Sequence, residues 1–211
     1  MIPANDLDRA KGRLASLLSP GERRMLFLAT LQTVVGACAE AGLPAVVLTR
    51  DRRIIEALPE GVRVIEEDDS VSGLNGQLER AVRLLAADDI VILHADLPFA
   101  TAAALRAFVD AGSAGPAVTL VRSRDGGTNA MRLTPPGAFA LAYGRDSFAA
   151  HREAARAAGA SVEIVEIPEL ALDIDTVDDL FAVMETPGGT TTGIGALLQS
   201  FALRERLAVD E

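Results

Sequence analysis

The segment Ile90-Val91-Ile92-Leu93-His94-Ala95-Asp96-Leu97-Pro98 decides the fold of this chain. Its first four residues form a short apolar run, which is typical of a strand buried on both faces of a parallel sheet. Asp96 follows directly at the carboxyl end of the predicted strand. Because ligands in open α/β sheets bind outside the carboxyl ends of the strands, Asp96 lies where a bound molecule is expected.

Strand and helix patterns alternate on both sides of this segment. Besides 90–93, apolar runs predict strands at 45–49, 62–65, 117–121, 130–133 and 161–167. Helical spacing predicts helices at 20–41, 52–58, 74–86, 101–109, 147–158, 176–184 and 194–207. Repeated strand–helix units predict an α/β fold with a mixed, mostly parallel sheet that is covered by helices on both faces.

The first long helix and the end of the chain add detail to this plan. Ser19 and Pro20 predict a helix start, and we expect its buried face to carry Met25, Leu28, Leu31, Val35 and Cys38. We expect one domain over 1–185. The remaining 186–211 read as a linker and a last helix, which packs either on the same domain or on a partner subunit.

The composition excludes several classes of function. The chain has 30 acidic and 20 basic residues, a net charge of −10, and no stripe of clustered cations, so nucleic acid is not an expected partner. No apolar run approaches the roughly 18 residues that a membrane span needs. The first residues lack a signal-type segment, and the lone Cys38 cannot form an internal disulfide. These features predict a protein of the reducing cytoplasm.

Two cations stand close together in the opening loop, Ala10-Lys11-Gly12-Arg13-Leu14. Lys11 and Arg13 precede a helix and could clamp the phosphates of a nucleotide. The alternative is an ordinary solvated turn. A P-loop motif and a G-x-G-x-x-G motif after a strand are both absent from the sequence, which argues against a Walker-type NTPase and a Rossmann dehydrogenase.

Acidic residues at two places could bind a metal ion. Asp96 is well placed to hold Mg²⁺ against phosphates, although it could instead cap the next helix, a role that Thr101 fits better. We interpret the neighbouring His94 as a packed, hydrogen-bonded residue. Asp173 and Asp175 lie two apart in an extended segment and therefore project to one face, where a cation would offset their repulsion. The alternative is that Asp175 or the following threonine caps the helix after it.

Three loops carry groups that could bind anions or a base. Gly126-Gly127-Thr128-Asn129 and Tyr143–Phe148 combine glycines with hydroxyl donors, which suits a carboxylate or a phosphate. Ser147 could equally be a helix cap, and a helix amino terminus is itself an anion site. The turn Ser72-Gly73-Leu74-Asn75-Gly76 could read a base edge through Asn75, or it could simply be a capped turn.

These stretches, in this order, resemble the guanylyltransferases of coenzyme F-420 biosynthesis. The most specific are Gly126–Ala130, Tyr143-Gly144-x-x-Ser147-Phe148-x-x-His151 and Leu172–Thr176, and the similarity runs from Pro3 to about Leu180. The family transfers GMP from GTP to 2-phospho-L-lactate, phosphoenolpyruvate or 3-phosphoglycerate. The resemblance implies a Rossmann-like nucleotidyltransferase fold of the nucleotide-diphospho-sugar transferase type.

The resemblance also implies roles for individual residues. The metal ligands of Mg²⁺ would be Asp96, Asp173 and Asp175. Contacts to GTP would come from Lys11, Arg13, Gly73, Leu74 and Asn75, and contacts to the acceptor from Thr128, Gly144 and Ser147. Lys11, Arg13 and Asp96 would carry the catalysis. A different nucleotidyltransferase, of molybdenum-cofactor or sugar-phosphate type, and a nucleotide-binding relative without turnover are the alternatives, and a homodimer is compatible with the last segment.

Two departures from the family pattern lie at the start of the chain. Relatives commonly have a lysine where this sequence has Asn5, so Arg9 or Arg13 would have to replace any phosphate contact of that lysine. Relatives also begin with a complete strand, of which only Met1-Ile2-Pro3 is present here. Because a missing central strand leaves its neighbours without backbone partners, we expect the true start to lie upstream.

Overall fold

The computed structural model describes residues 1–4, 6–112, 116–187, 189–203 and 206. Within these residues, seven strands form: β1 (Ile2–Pro3), β2 (Val46–Leu48), β3 (Arg63–Ile65), β4 (Ile90–Leu93), β5 (Ala117–Arg122), β6 (Thr128–Thr134) and β7 (Ser161–Ile164). The helices are α1 (Pro20–Ala41), α2 (Arg52–Ala57), α3 (Gly73–Leu85), α4 (Ala102–Asp110), α5 (Ser147–Ala157), α6 (Pro168–Ala171), α7 (Val177–Glu185) and α8 (Gly193–Ser200). None of the helices in this described part is long and apolar enough to cross a membrane.

The described strands form two sheets, one in the order β3-β2-β1 and the other in the order β4-β6-β5-β7. β1, β2 and β3 pair in parallel, β6 runs antiparallel to both β4 and β5, and β5 pairs in parallel with β7. Met1 joins the two groups, because Leu93 N donates to its carbonyl at 3.0 Å and its own amino group donates to Val91 O at 2.6 Å. The prediction of a mixed, mostly parallel sheet is confirmed.

The opening segment takes the place of the first strand of the fold. Ile2–Pro3 is a two-residue strand opposite Val47 and Leu48 of β2, and Ile2 is fully buried between the layers. β1 therefore separates β2 from β4 and leads directly into the loop that carries Lys11. Asn5, on which the expected loss of a phosphate contact rests, lies outside the described residues.

The first helix begins as predicted, and Leu31, Val35 and Cys38 of its predicted face are buried. Ser19 and Glu22 form a capping box, with Pro20 at the first helical position, and Gly42 ends the helix with φ 77°. The expectation for Met25 is wrong: its side chain is 50% exposed, whereas Leu26 is fully buried. Leu26 packs with Ile194 of α8 and with other apolar side chains of the C-terminal part, and this contact buries Leu26 in place of Met25.

Three other elements differ from their predicted bounds by more than one residue at an end. The strand predicted at 161–167 ends at Ile164, because Pro168 starts the short helix α6, whose Leu170 is buried in the core. β6 begins at Thr128, earlier than the predicted 130. α8 ends at Ser200 and packs on α1 and α7, and the predicted helical residues 204–205 and 207 lie outside the described residues.

Candidate active site

The predicted site residues meet at the carboxyl end of β4. Asp96 lies just beyond this strand, and the backbone carbonyl of Asp96 accepts a hydrogen bond from Ile174 N at 3.2 Å. This bond brings the segment that contains Asp173 and Asp175 beside Asp96. On the other side, His94 N donates to Asn129 O at 2.9 Å, because β6 starts where its antiparallel neighbour β4 ends.

Lys11 lies at the centre of this group and does not belong to a solvated turn. Its residue is 8% exposed, and its backbone is left-handed with φ 55° before a short 3₁₀ turn. The ammonium donates to the carboxylate of Asp96 and to Asp175 Oδ1, the latter at 3.1 Å. Burial alone would lower the pKa of Lys11, but the two carboxylates outweigh it and raise that pKa. The lysine therefore stays charged.

Arg13, two residues further on, is placed quite differently. Its side chain is 70% exposed, and its nearest recorded ionic partner is Asp175 Oδ2 at 3.9 Å. A guanidinium held this loosely gains little from its ion pair and can turn toward an incoming anion. Lys11 is thus the buried, fixed cation of the loop, and Arg13 is its exposed cation.

Asp96 and Asp173 come together with a third group, His94. One ligand atom from each of these three residues lies within 4.8 Å of the others. Burial opposes the charge on Asp96, but Lys11 and then His94 reverse the effect and lower the pKa of Asp96. Burial, followed by the charge of Asp96, raises the pKa of Asp173 to about 6. Two carboxylates therefore share a site that favours only one negative charge.

This donor set fits a divalent cation. Asp96 Oδ1 is buried and has no hydrogen-bond partner among the described residues, so an acceptor is left free inside the cluster. A buried carboxylate oxygen without a partner is costly, and a cation would satisfy it. Carboxylate oxygens are also the ligands that Mg²⁺ prefers. The third potential ligand beside Asp96 and Asp173 is His94, whereas the carboxylate of Asp175 contacts Lys11.

The helix-capping roles considered for Asp96 and Asp175 are filled by threonines. Thr101 accepts from Ala104 N at 3.1 Å and caps α4, so Asp96 has no such role. Thr176 caps α7 in a capping box with Asp179. Asp175 is therefore free for its contact with Lys11.

Two cavities adjoin this centre. A cleft of about 610 Å³ runs from Lys11 and Asp96 to the ends of β2 and β3 and the start of α3, and its further lining includes Arg9, Arg50, Glu67, Gly73 and Leu74. A smaller cavity of about 260 Å³ is lined by Arg13, Arg124 and Asp173. Asp175 lines both cavities, so it lies between them.

The hydroxyl residues expected on the acceptor side face one another. Thr128 and Ser147 are buried, and Ser147 Oγ donates to Thr128 Oγ1 at 3.3 Å. His151 Nδ1 lies 3.1 Å from the same threonine oxygen. Gly144 is exposed, with φ 144°. Ser147 is the first residue of α5, and the cap position before it is Asp146. The hydroxyls of Thr128 and Ser147 are therefore already in contact, and Ser147 N also donates to Gly144 O at 3.3 Å.

Asn75 is not directed at an open base site in this structure. Its Oδ1 accepts from Tyr143 N at 2.8 Å, and its Nδ2 donates to Tyr143 O at 3.0 Å. Both polar atoms of the amide are therefore engaged by the backbone of the predicted acceptor loop. Gly73 and Leu74, in contrast, line the large cleft as the nucleotide role requires.

Sequence reasoning missed two contributors to the metal cluster. His94 was interpreted as a packing residue, and Asn129 was given no role, although its Nδ2 donates to Asp173 Oδ1 at 3.2 Å. Asn129 is 1% exposed. The signal available was its place directly before the predicted strand at 130–133, where an amide that becomes buried needs a specific partner.

The fold is shared with solved nucleotidyltransferases. A nucleotidyl transferase of Methanothermobacter thermautotrophicus superposes with a TM-score of 0.63 over 86% of this chain and 93% of that one. The two sequences are 18% identical, so the likeness concerns the fold alone. It confirms the predicted Rossmann-like nucleotidyltransferase architecture.

Closer similarities lie among guanylyltransferases. A phosphoenolpyruvate guanylyltransferase of Conexibacter woesei is 39% identical, covering 88% of this chain and 86% of that protein. A 2-phospho-L-lactate guanylyltransferase of Methanothermobacter thermautotrophicus is 34% identical, with coverages of 90% and 85%. A 3-phospho-D-glycerate guanylyltransferase of Phenylobacterium zucineum is 36% identical, with coverages of 87% and 88%. The family model described as "Guanylyl transferase CofC like" matches residues 1–200, and the chain therefore belongs to this guanylyltransferase family.

Proposed function

We propose that this enzyme transfers the guanylyl group of GTP to a small phosphorylated carboxylic acid and releases pyrophosphate, as a step of coenzyme F-420 biosynthesis. The observation that carries the proposal is the buried Lys11 ammonium, which contacts Asp96 and Asp175 at the end of β4. Such a site combines a fixed positive charge with carboxylates for a metal ion, which is what transfer between phosphates requires.

The reaction joins the acceptor phosphate to the α-phosphorus of GTP. An acceptor phosphate oxygen attacks that phosphorus in line, a new phosphorus–oxygen bond forms, and the bond to the β-phosphate oxygen breaks with release of pyrophosphate. A phosphate monoester has a second pKa near 6 and is already anionic at neutral pH, so no general base is needed. The protein's contribution is therefore orientation and neutralisation of charge.

Mg²⁺ is the cofactor we propose, held by Asp96 and Asp173, with His94 in place of the predicted Asp175. When bound, it would neutralise charge on the phosphates. Lys11 contributes a positive charge beside it, and its two carboxylate partners keep the ammonium in place. Arg13, exposed at the smaller cavity, is suited to hold a second phosphate oxygen or the acceptor. The large cleft, lined by Gly73 and Leu74, would take the nucleotide.

Phosphoenolpyruvate is the acceptor we favour, with 2-phospho-L-lactate and 3-phosphoglycerate as alternatives. The chain's composition resembles that of a bacterial protein, and bacterial relatives tend to use phosphoenolpyruvate. The three relatives described above are named for three different acceptors, and all are 34–39% identical to this chain, so overall identity does not indicate which acceptor this enzyme uses. We expect Thr128, Gly144 and Ser147 to contact the acceptor.

A pyrophosphate-release assay with GTP, Mg²⁺ and each acceptor in turn tests the proposal. We expect release with one acceptor at a kcat/KM at least tenfold above the other two, and none without an acceptor. Release with ATP or CTP at comparable rates would point to another nucleotidyltransferase. GTP binding without release in any combination would point to a nucleotide-binding relative without turnover, and the proposal would be wrong.

The cellular setting of this reaction is also part of the proposal. We propose that the enzyme acts in the cytoplasm, where its single cysteine, the buried Cys38, would remain a thiol. A homodimer stays a prediction. Sedimentation at micromolar concentration distinguishes a dimer from a monomer of 22.1 kDa.

A further inference from the structure

The segment Leu141–Tyr143 precedes Gly144 and is held in an unusual way. It belongs to no strand, yet each of its three consecutive backbone N–H groups donates to a side chain from a helix. Leu141 N donates to Glu79 Oε1 at 3.0 Å, Ala142 N to His151 Nε2 at 2.9 Å, and Tyr143 N to Asn75 Oδ1 at 2.8 Å. Side chains therefore do here what a neighbouring strand does in a sheet.

Two of these three side chains come from α3. Asn75 and Glu79 are four residues apart, so they lie one turn apart on the same face of that helix. Asn75 also returns a hydrogen bond to Tyr143 O at 3.0 Å, so the α3 face makes three of the contacts. The first turn of the same helix, with Gly73 and Leu74, lines the large cleft. One helix thus borders the proposed nucleotide site and holds the proposed acceptor loop.

His151 of α5 completes the arrangement from the other side. It is fully buried, and its Nε2 accepts from a backbone amide, so its ring proton is on Nδ1 and is donated to Thr128 Oγ1. Its ring meets the Tyr143 ring edge-on, with centroids 4.7 Å apart. The contacts of Tyr143 therefore run from α3 through the loop to Thr128.

From these contacts we propose that Asn75 and Glu79 are positioning residues for the acceptor and do not bind the nucleotide. The inference rests on the proposed function and refines it, because the resemblance assigns Asn75 to GTP. Both polar atoms of Asn75 are already engaged by Tyr143, and a guanine could bind Asn75 only by displacing them. The physical role of the α3 face is to fix Gly144 and Ser147 relative to the nucleotide cleft.

Kinetics of four variants test this assignment. We expect Asn75→Ala and Glu79→Ala to raise the KM of the acceptor by about tenfold, while the KM of GTP and its dissociation constant by calorimetry change less than about twofold. Glu79→Gln keeps the oxygen that accepts from Leu141 N and should restore the wild-type acceptor KM. Arg83→Ala, an exposed position of the same helix, is the matched control. A rise in the GTP values with an unchanged acceptor KM would overturn the proposal.

Hydrogen–deuterium exchange separates this inference from the proposed function. In Asn75→Ala, the amides of 141–143 should exchange at least tenfold faster than in the wild type, whether or not guanylyl transfer occurs. If Asn75→Ala does not fold, Asn75→Leu takes its place, because it keeps much of the side-chain volume and loses both hydrogen bonds to Tyr143. Unchanged exchange in the folded variant would overturn the positioning role. Absence of transfer in the wild type would instead overturn the proposed function alone.

Discussion

Replacing Lys11 with methionine tests the charge arrangement at the centre of the site. The Lys11 ammonium is buried against Asp96, and methionine keeps much of the apolar stem while removing the charge. The Asp96 carboxylate is then left buried without its cation. Removing one partner of a buried ion pair costs about 3–5 kcal/mol. In a chain of this length, 1 kcal/mol lowers Tm by about 2–4 °C, so Lys11→Met should lower it by about 6–20 °C without metal.

Arg13→Met is the matched control for this measurement. Arg13 approaches the same acidic cluster, but its side chain is 70% exposed and lies 3.9 Å from Asp175. An exposed pair of this kind contributes at most about 1 kcal/mol, so the control should change Tm by no more than about 4 °C.

The assay is thermal unfolding followed by circular dichroism, first in EDTA and then in millimolar Mg²⁺. We expect Mg²⁺ to raise the Tm of Lys11→Met more than that of the wild type, because a bound cation offsets the repulsion between Asp96 and Asp173 that Lys11 otherwise reduces. A Tm of Lys11→Met in EDTA within about 2 °C of the wild-type value would refute the buried ion pair.

Three further predictions concern the cluster, a buried histidine and the first helix. Asp173→Asn should raise the Mg²⁺ concentration for half-maximal transfer by about tenfold, and Asp175→Asn should raise it much less, because only Asp173 lies in the group with His94 and Asp96. A Mg²⁺ titration of both variants measures this, and equal effects would contradict the grouping. Burial, and then the charge of His94, lowers the pKa of His151 to about 4. Because the unfolded chain binds the proton first, the free energy of unfolding should fall by up to about 3 kcal/mol from pH 6.5 to pH 4, and urea titrations of His151→Gln should lack this slope. Leu26→Ala should cost about 2–5 kcal/mol in the same titration and Met25→Ala less than about 1 kcal/mol, since only Leu26 is buried.

Local signals were sufficient for most of the fold. β4 was predicted to the residue, because its four apolar residues are bounded by Asp89 and the polar His94-Ala95-Asp96 segment. The start of α1 followed from Ser19 and Pro20, whose capping chemistry depends on neighbours in sequence. The short helix α6 was missed because it depends on the burial of Leu170 in the distant core. A pattern of four residues does not contain that information.

The buried face of α1 shows the same limit. Helical spacing fits Met25 and Leu26 almost equally well, and which of them is buried depends on where α8 packs. α8 lies more than 150 residues away along the chain. Sequence periodicity therefore locates a helix better than it orients the helix against partners from remote segments.

The types of residue in the candidate site could be predicted from the sequence, but the contacts between their side chains could not. Carboxylates after strands and cations before a helix were visible in the sequence. The contacts of Lys11 with Asp96 and Asp175 join residues 85 and 164 positions apart, and no local pattern in the sequence indicates them. Asn75 is the clearest case, because an amide suits a base edge and a backbone equally well, and only the fold brings Tyr143 to it.

The charges at the centre of the site are the physical reason for proposing a divalent cation there. Lys11 contacts Asp96 and Asp175, and Asp173 lies beside Asp96, so two negative charges exceed the single ammonium when all three carboxylates are ionised. Burial, and then the charge of Asp96, raises the pKa of Asp173, so burial and this excess act in the same direction. A divalent cation would neutralise the excess negative charge, and Asp175 already accepts a hydrogen bond from Lys11. The imidazole of His94, at the end of β4, can then complete the metal group without adding a negative charge.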